Sequence, residues 1–533
     1  MIHFPKAIAL LLTFCIGTTV FASTEPDSTS KYWHHMDPET DGVAGVSSTR
    51  AYKLVKDRKS TTVTVAIIDS GMDIDHEDLK ENIWTNEDEI PGNGIDDDKN
   101  GYVDDIHGWN FLGTADGTNM QFANLEMTRI FRKLDPKFSG KTKKEIAKED
   151  RADFELYTEV ATAIAEKRQS SEGEFMQVMG IKMFFDQADS AVVSNIGEGY
   201  TLEELAVYET KDEEVRKYAE FILMMSAQGM DKEGLTEYYE HLEAGMKYHY
   251  NPGFNDRDIM GDDLTKTDER LYGNNDVSAP DAVHGTHVGG LVGSIRGNGL
   301  GGDGICQNVK LMALRAVPNG DEFDKDIANA IRYAADNGAQ IINMSFGKGY
   351  SPQVEAVYEA IKYAESKNVL LIHAAGNDGA NNDKVTGFPN PKFSKKERAS
   401  SFLTIGASSP ELNASLPGIF SNYGKKEVDF FAPGVQVYST MPGNEYEPQD
   451  GTSMAAPVTT GVAAFVLSYF PKLTAVQLKD LLISSVYKPG KMKVTQPDPT
   501  YAGGKLVPFK KLSKTGGVVN AYNAAKMALE MYP

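Results

Sequence analysis

The apolar positions of this chain fall into two regimes. From residue 284 onward, short and nearly continuous apolar runs alternate with stretches of helical period. Val309 to Val317 reads as a strand, Lys325 to Asn337 as a helix stopped by Gly338, and Gln340 to Met344 as the next strand. Pro352 to Lys367 reads as a helix, and Val369 to Ala374 and Phe402 to Ala407 as strands. Val63 to Ile68 is an earlier run of the same kind, preceded by a helical Ser48 to Val55, and Asn520 to Tyr532 is a closing helix. Strands apolar on both faces and joined by helices predict the α/β class. The expected architecture is a parallel, doubly wound sheet covered by helices on both faces, with right-handed crossovers. Functional groups in such sheets gather beyond the strand carboxyl ends. Asp69, Ser345 and Asn377 all stand at or just after predicted strand ends.

Between residues 113 and 273 the pattern changes. Tyr157, Val160, Ala161 and Ile164 recur at helical spacing, as do Val215, Tyr218, Ala219, Ile222 and Met225. Ser171 with Glu174 predicts a capping box, and so a helix start just before Phe175. This predicts an all-helical insertion over 113–273, whose apolar stripes form its own core. It divides a sheet domain into 33–112 and 274–533. The Pro-, Gly- and Lys-containing stretch 486–515 predicts a long surface loop.

The first 22 residues read as a signal peptide. Lys6 supplies the positive start, Ala7 to Val20 the apolar core, and Val20-Phe21-Ala22 the cleavage site. Residues 23–32 read as a loose polar segment. The apolar run is too short for a membrane span, and no later segment is long and apolar enough, so no transmembrane span is expected. The expected location is therefore secreted or periplasmic. Lipoprotein anchoring through Cys15 is the less favoured alternative, because bulky Phe14 sits where a small residue is usual. With Cys15 in the leader, Cys306 stands alone, which rules out an intrachain disulfide in the mature chain and reads as a small buried hydrophobe.

Charge narrows the class further. The chain carries 54 Lys and Arg against 76 Asp and Glu, a formal net charge of −22. That argues against nucleic acid as a partner and suits a protein that holds calcium through carboxylates.

Gly451-Thr452-Ser453-Met454-Ala455-Ala456-Pro457 is a small-residue turn leading into an apolar helix, Ser453 to Tyr469. Free backbone N–H groups and the positive helix end gather there, so an oxyanion formed beside Ser453 would be stabilised. A serine needs a base to act as a nucleophile. His284 opens His-Gly-Thr-His-Val-Gly-Gly (284–290), and Asp69 ends the strand from Val63 and precedes Ser70-Gly71. Asp, His and Ser then occur in the order found in subtilisin. On these three motifs the chain resembles the subtilisin-like serine proteases, the subtilases.

The resemblance implies roles for further residues. Asn377, in Ala374-Ala375-Gly376-Asn377-Asp378-Gly379, matches the side-chain donor of the family's oxyanion hole. Ser345-Phe346-Gly347 and Ala374-Ala375-Gly376 resemble the two walls of its primary specificity pocket, with Phe346 large for a wide slot. Asp78 matches an acid that helps bind a structural calcium. Phe420 to Gly424 and Phe431 to Gly434 also look like family core segments. The resemblance covers 33–112 and 274–533 and leaves the insertion out. Subtilases usually separate the catalytic Asp and His by a few dozen residues, far fewer than here. They also commonly carry a folding propeptide, for which the stretch between Ala22 and Asp69 is short.

A second calcium candidate comes from the residues themselves. Asp96, Asp98, Asn100 and Asp104, the carbonyl of Tyr102 and the turn residue Gly101 match the first nine positions of an EF-hand loop. The twelfth position is His107 rather than Glu, and Asp105 would supply the missing oxygen. Structural Ca2+ is the expected cofactor. His287, one turn after His284, lacks a third ligand and reads as structural, and His373 reads as a core histidine. The function expected is an exported serine endopeptidase that hydrolyses peptide bonds of polypeptide substrates through an acyl-enzyme. The alternative is a catalytically idle subtilase scaffold whose insertion binds a protein partner. Intact Asp69, His284, Asn377 and Ser453 speak against it.

Overall fold

The computed structural model describes residues 31–228, 230–279, 281–500 and 504–532. The leader 1–22 and nearly all of 23–32 lie outside the described residues. The first elements are helix α1 (Ser48–Leu54), strand β1 (Val63–Asp69) and the short strand β2 (Gly108–Asn110). Helices α2 (Glu126–Phe138), α3 (Arg151–Ile196), α4 (Leu202–Val207), α5 (Glu213–Ser226) and α6 (Lys232–Ala244) follow. Then come α7 (Val283–Gly293), β3 (Val309–Arg315), α8 (Asp324–Asp336), β4 (Ile341–Met344), α9 (Val354–Ser366), β5 (Leu370–Ala374), β6 (Phe402–Ser408) and β7 (Phe430–Pro433). The chain closes with a hairpin β8 (Val437–Met441) and β9 (Glu445–Gln449), helices α10 (Thr452–Tyr469) and α11 (Ala475–Ser485), a second hairpin β10 (Lys493–Thr495) and β11 (Leu506–Pro508), and α12 (Ala521–Met531).

Two units result. The sheet unit takes residues 27–126 and 256–533, and the helical unit is 127–255. The sheet runs β2-β3-β1-β4-β5-β6-β7 with every pair parallel. Its strands are apolar on both faces because each face meets helices. Alternation along β1 makes this explicit. Val63, Val65 and Ile67 join the core shared with α7, α10 and α12, whereas Ala66 and Ile68 join the core shared with α8 and α9. The strand order reverses at β1, so Asp69 ends at the switch point, where α/β sheets place their ligands.

Helix α10 lies inside this unit, with every residue buried except Ser453 and Tyr469. A helix apolar all round requires such a site. Pro457 is its sixth residue and deprives the Ser453 carbonyl of its intrahelical donor. The Ser345 hydroxyl takes that place, donating to Ser453 O at 2.8 Å. Thus a sequence feature that looks like a mere helix-start proline leaves an acceptor which ties the β4 end to the Ser453 turn.

Two boundaries differ from the sequence reading. Residues 113–126 and 256–273, grouped there with the insertion, pack in the sheet unit. Leu112, Met120, Ala123 and Phe323 form a small buried cluster. Arg257 binds Asp262 and Asp326 at 2.6 and 2.7 Å, and buried Lys325 binds Asp262 at 2.6 Å. Two of these pairs, Arg257–Asp326 and Lys325–Asp262, join residues more than 60 apart in sequence, which periodicity does not reveal. The stretch 486–515 is not an unstructured loop. Its β10–β11 hairpin and the turn after it bury Val494, Phe509 and Leu512 against Ala44, Leu416 and Phe431.

In the helical unit, Val178, Phe185, Ala188 and Val192 of α3 pack with Leu205, Tyr218, Ala219, Ile222, Met225, Leu235 and Leu242. All five apolar positions read along α5 are buried. The capping box at Ser171 and Glu174 does not form, because α3 runs unbroken from Arg151 through this point. The apolar stripe continues on both sides, and Gly173 inside the helix costs only about 1 kcal/mol against alanine.

Candidate active site

Strand β1 delivers Asp69 to the carboxyl edge of the sheet, and α7 begins there with His284 near its N-terminus. His284 Nδ1 lies 2.6 Å from Asp69 Oδ1. A carboxylate accepts, so Nδ1 carries the proton and the lone pair of neutral His284 is left on Nε2. Asp69 is buried and also accepts from the Ser70 N–H at 2.8 Å. The His284 side chain keeps 39% exposure. Burial pushes its pKa down, but the charge and hydrogen bond of Asp69, with Asp281 adding charge, outweigh this and hold it above the usual 6.5. Arg315, missed in the sequence, lies buried opposite Asp69 in the β1–β3 ladder. It donates to Asn110 Oδ1 and the Met120 carbonyl.

Ser453 occupies the first turn of α10, and its hydroxyl donates to the Ser345 carbonyl at 3.1 Å. Its turn is braced from behind. Thr460 donates to Asn343 Oδ1 at 2.9 Å, and Asn343 Nδ2 donates to Ser345 Oγ at 2.9 Å. Neither Asn343 nor Thr460 carries a sequence signal beyond being polar in an apolar run.

Asn377 is oriented by Thr452. Its Oδ1 accepts from both the N–H and the hydroxyl of Thr452, at 2.9 and 2.8 Å. Two donors on one oxygen identify it as the oxygen and turn Nδ2 outward. Gly451 has φ +153°. A methyl carbon placed on it would lie 3.4 Å from Ser453 N, 3.5 Å from Met454 Sδ and 3.6 Å from Asn377 Nδ2. The two nitrogens therefore border the same space beside Gly451, together with the Met454 sulfur.

Strands β4 and β5 pair as far as Met344↔His373, and the segments Ser345-Phe346-Gly347 and Ala374-Ala375-Gly376 continue from these ends. His373 Nε2 lies 2.7 Å from the Phe346 carbonyl. Burial lowers the His373 pKa to about 4, so it is a neutral core group. A cavity of about 50 Å3 borders Ala375, His373, Gly387 and Pro389. His287 lies 3.1 Å from the Glu447 carbonyl through Nε2, and burial lowers its pKa to about 3.

The acidic loop is arranged differently from an EF-hand. Glu89, Asp96 and Asp98 bring carboxylate oxygens within 4.8 Å of one another. Asp104 instead accepts from the Asn93 and Gly94 N–H groups. Asn100 uses Oδ1 on the Tyr102 N–H and Nδ2 on Asp98 and Asp105. Burial pushes the Asp105 carboxyl up to about 6, although it accepts from Tyr333, Asn86 and Asn100. The Tyr102 ring packs on Trp109 and Tyr333. Glu89 was missed because it precedes Asp96 by a whole turn-rich segment and fits no loop spacing. Three carboxylates in one place, oxygen donors only, suit a hard cation such as Ca2+. Asp78 is a second candidate. Its Oδ1 accepts from Asn298 Nδ2 at 2.6 Å, while its Oδ2 is buried without a hydrogen-bond partner, and burial raises its pKa.

Comparison with known proteins adds to this geometry. The segment 60–515 matches the model of the subtilase family. Subtilisin DY of Bacillus licheniformis is 36% identical over 204 residues, 38% of this chain and 69% of that protein. The thermophilic serine proteinase of Bacillus sp. (strain AK1) is 36% identical over 228 residues, 43% of this chain and 51% of its own length. A crystal structure of a cold adapted subtilisin-like serine proteinase matches at 29% identity, over 46% of this chain and 76% of that one, with a TM-score of 0.35. The family match runs from just before β1 to just before α12 and takes in the turns that bear Asp69, His284, Asn377 and Ser453. The chain belongs to the subtilase family of serine proteases.

Proposed function

We propose that this protein is an exported serine endopeptidase in which Ser453 is the nucleophile, His284 the general base and then acid, and Asp69 the residue that orients His284. The observations that carry the reading are the 2.6 Å contact of His284 Nδ1 with Asp69 Oδ1 and the proximity of Ser453 N and Asn377 Nδ2 to one space beside Gly451. A peptide carbonyl entering there would receive both donors as its oxygen became an oxyanion.

Substrate entry would turn the Ser453 hydroxyl from the Ser345 carbonyl to His284 Nε2. The proton then passes to Nε2 while Oγ bonds to the carbonyl carbon, and the C=O electron pair moves onto oxygen. His284 returns that proton to the departing amine as the C–N bond breaks, which leaves an ester on Ser453. Water repeats the sequence against the ester and restores the hydroxyl. Asp69 keeps the proton on Nδ1 and stabilises the imidazolium without taking the proton itself. Ser345-Phe346-Gly347 and Ala374-Ala375-Gly376 would flank the substrate side chain.

Calcium enters the reading as a structural ion, held by Glu89, Asp96 and Asp98 and, separately, by Asp78. When bound it would neutralise clustered carboxylates and brace their loops. Export is supported by the leader-like residues 1–22 and by a relative named as a cell wall-associated protease. No helix among the described residues is long and apolar enough to cross a membrane. The direct test is Ser453→Ala, which should lose peptide hydrolysis and fluorophosphonate labelling while keeping its melting temperature. Retention of more than a few per cent of activity would sink the assignment of the nucleophile.

A further inference from the structure

A lysine directly follows the Ser345-Phe346-Gly347 wall, and it is buried. The Lys348 side chain is 1% exposed. Its Nζ donates to Glu126 Oε2 at 2.8 Å and to the Glu322 carbonyl at 2.7 Å, and lies 2.9 Å from Asp324 Oδ1. Its backbone forms a two-way bridge with Phe388, N to O at 3.0 Å and O to N at 2.9 Å. Phe388 stands between Gly387 and Pro389, which border the cavity beside Ala375 and His373. A methyl carbon on Gly347 would lie 3.1 Å from the Phe388 carbonyl, so the two segments already touch closely.

The wall is therefore pinned at both ends. At Ser345 it is tied to the Ser453 turn in both directions, Oγ to Ser453 O and Ser453 Oγ to Ser345 O. At Lys348 it is tied to Glu126, the residue after which the chain enters the helical unit, and to Asp324 at the start of α8. Burying an ammonium among carboxylates seldom stabilises a protein more than apolar packing would. What it does supply is a fixed position, because each partner must be met at hydrogen-bond distance.

We propose that Lys348 is a positioning residue for substrate binding, fixing the Ser345–Gly347 wall and the 387–389 segment against Glu126 and Asp324. The width of the slot for the side chain preceding the scissile bond then depends on this ion cluster. The proposal rests on the reading of these segments as substrate walls. It separates slot geometry from the chemistry at Ser453.

The test compares wild type with Lys348→Met, Lys348→Arg and Glu126→Gln on two peptide amides that differ only in Phe or Ala before the scissile bond. A small alkyl fluorophosphonate reports on Ser453 without filling the slot. Lys348→Met should raise KM for the Phe peptide and lower its kcat/KM about tenfold, within the range that a misshaped apolar pocket gives. The Ala peptide and the labelling rate should stay within about threefold. Glu126→Gln should move the Phe/Ala ratio the same way by less, and Lys348→Arg should restore most of it. Equal losses on both peptides and the probe would mean a merely structural lysine and overturn the proposal. So would an unchanged Phe/Ala ratio in Glu126→Gln, which decides the matter even where Lys348→Met fails to fold. Failure of wild type to label at Ser453 would instead strike the serine reading and leave the ratio to be judged separately.

Discussion

Gly285 follows His284, and a single methyl there should disable the proposed site without unfolding the protein. The added carbon would stand 1.8 Å from the Gly71 carbonyl oxygen and 3.1 Å from Asp69 Cβ, whereas real contacts below 3.0 Å essentially never occur. The neighbour is backbone and has no rotamer to change. Helix α7 and the turn after β1 must therefore part by roughly 1 Å, and a displacement of that size at reacting groups costs on the order of 10²-fold. The elements that separate are the ones carrying His284 and Asp69, joined at 2.6 Å. Overpacking of this kind costs about 1–3 kcal/mol, and replacing glycine by alanine within a helix returns about 1 kcal/mol. The net loss of stability should be at most about 2 kcal/mol, small beside the loss of rate.

Gly285→Ala should thus melt as a cooperative transition a few degrees below wild type while kcat/KM on a peptide amide falls about 100-fold. The fall should appear in kcat, since the segments proposed as substrate walls lie on other elements. Activity within twofold of wild type would show that the Asp69–His284 contact does not depend on this close approach, and the argument would fail. A collapse of the melting transition would refute it from the other side.

Three further outcomes follow from the same structure. Because His284 must be neutral to accept a proton and its pKa is held above 6.5, kcat/KM should rise with pH through a midpoint above that value. Asp69→Asn removes the charge that raises it and leaves burial, so the midpoint should move down while kcat falls about 10⁴-fold; an unmoved midpoint would assign the titration to another group. Chelation should lower the melting temperature, since an ion at about 100 times its Kd contributes ~2.7 kcal/mol. Glu89→Gln with Asp98→Asn should reduce that response to the part due to the Asp78 site, and an equal response in the double variant would remove the carboxylate trio as a site. Burial lowers the pKa of His34 and His287 to about 3, from 6.5, so their neutral forms are favoured in the folded state. Folded values below the unfolded ones place their contribution above pH 6.5 and remove it progressively between pH 6.5 and 3, at ~1.4 kcal/mol per group per pH unit. His34→Leu should flatten the acid limb of a stability profile, and a profile of unchanged slope would count against this account.

What the sequence made legible depended on how local each cause is. Asp69, His284 and Ser453 sit at element termini, and Asn377 lies just beyond one, all places that short-range pattern locates, so the fold class and the candidate site come out of the same reading. The five buried positions of α5 were legible for the same reason, because one stripe at helical spacing faces the core of its own unit. The acidic loop was legible as a place, and the structure adds a member to it. Glu89 brings its carboxylate to Asp96 and Asp98 from a position that no loop register predicts, while Asp104 accepts from the N–H groups of residues 93 and 94. Glu89, Asp96 and Asp98 accept from backbone N–H groups as well, so the three-dimensional path of the chain, and not spacing, decides which oxygens meet. The same limit hides Lys348. Read along the chain it is an ordinary lysine after a glycine; read in space it is a buried charge whose partners come from residues 126, 322 and 324. Motif reading finds groups that react, because their chemistry dictates their neighbours in sequence. It does not find groups that hold those residues in place, because any sufficiently close side chain from anywhere in the chain can supply a partner.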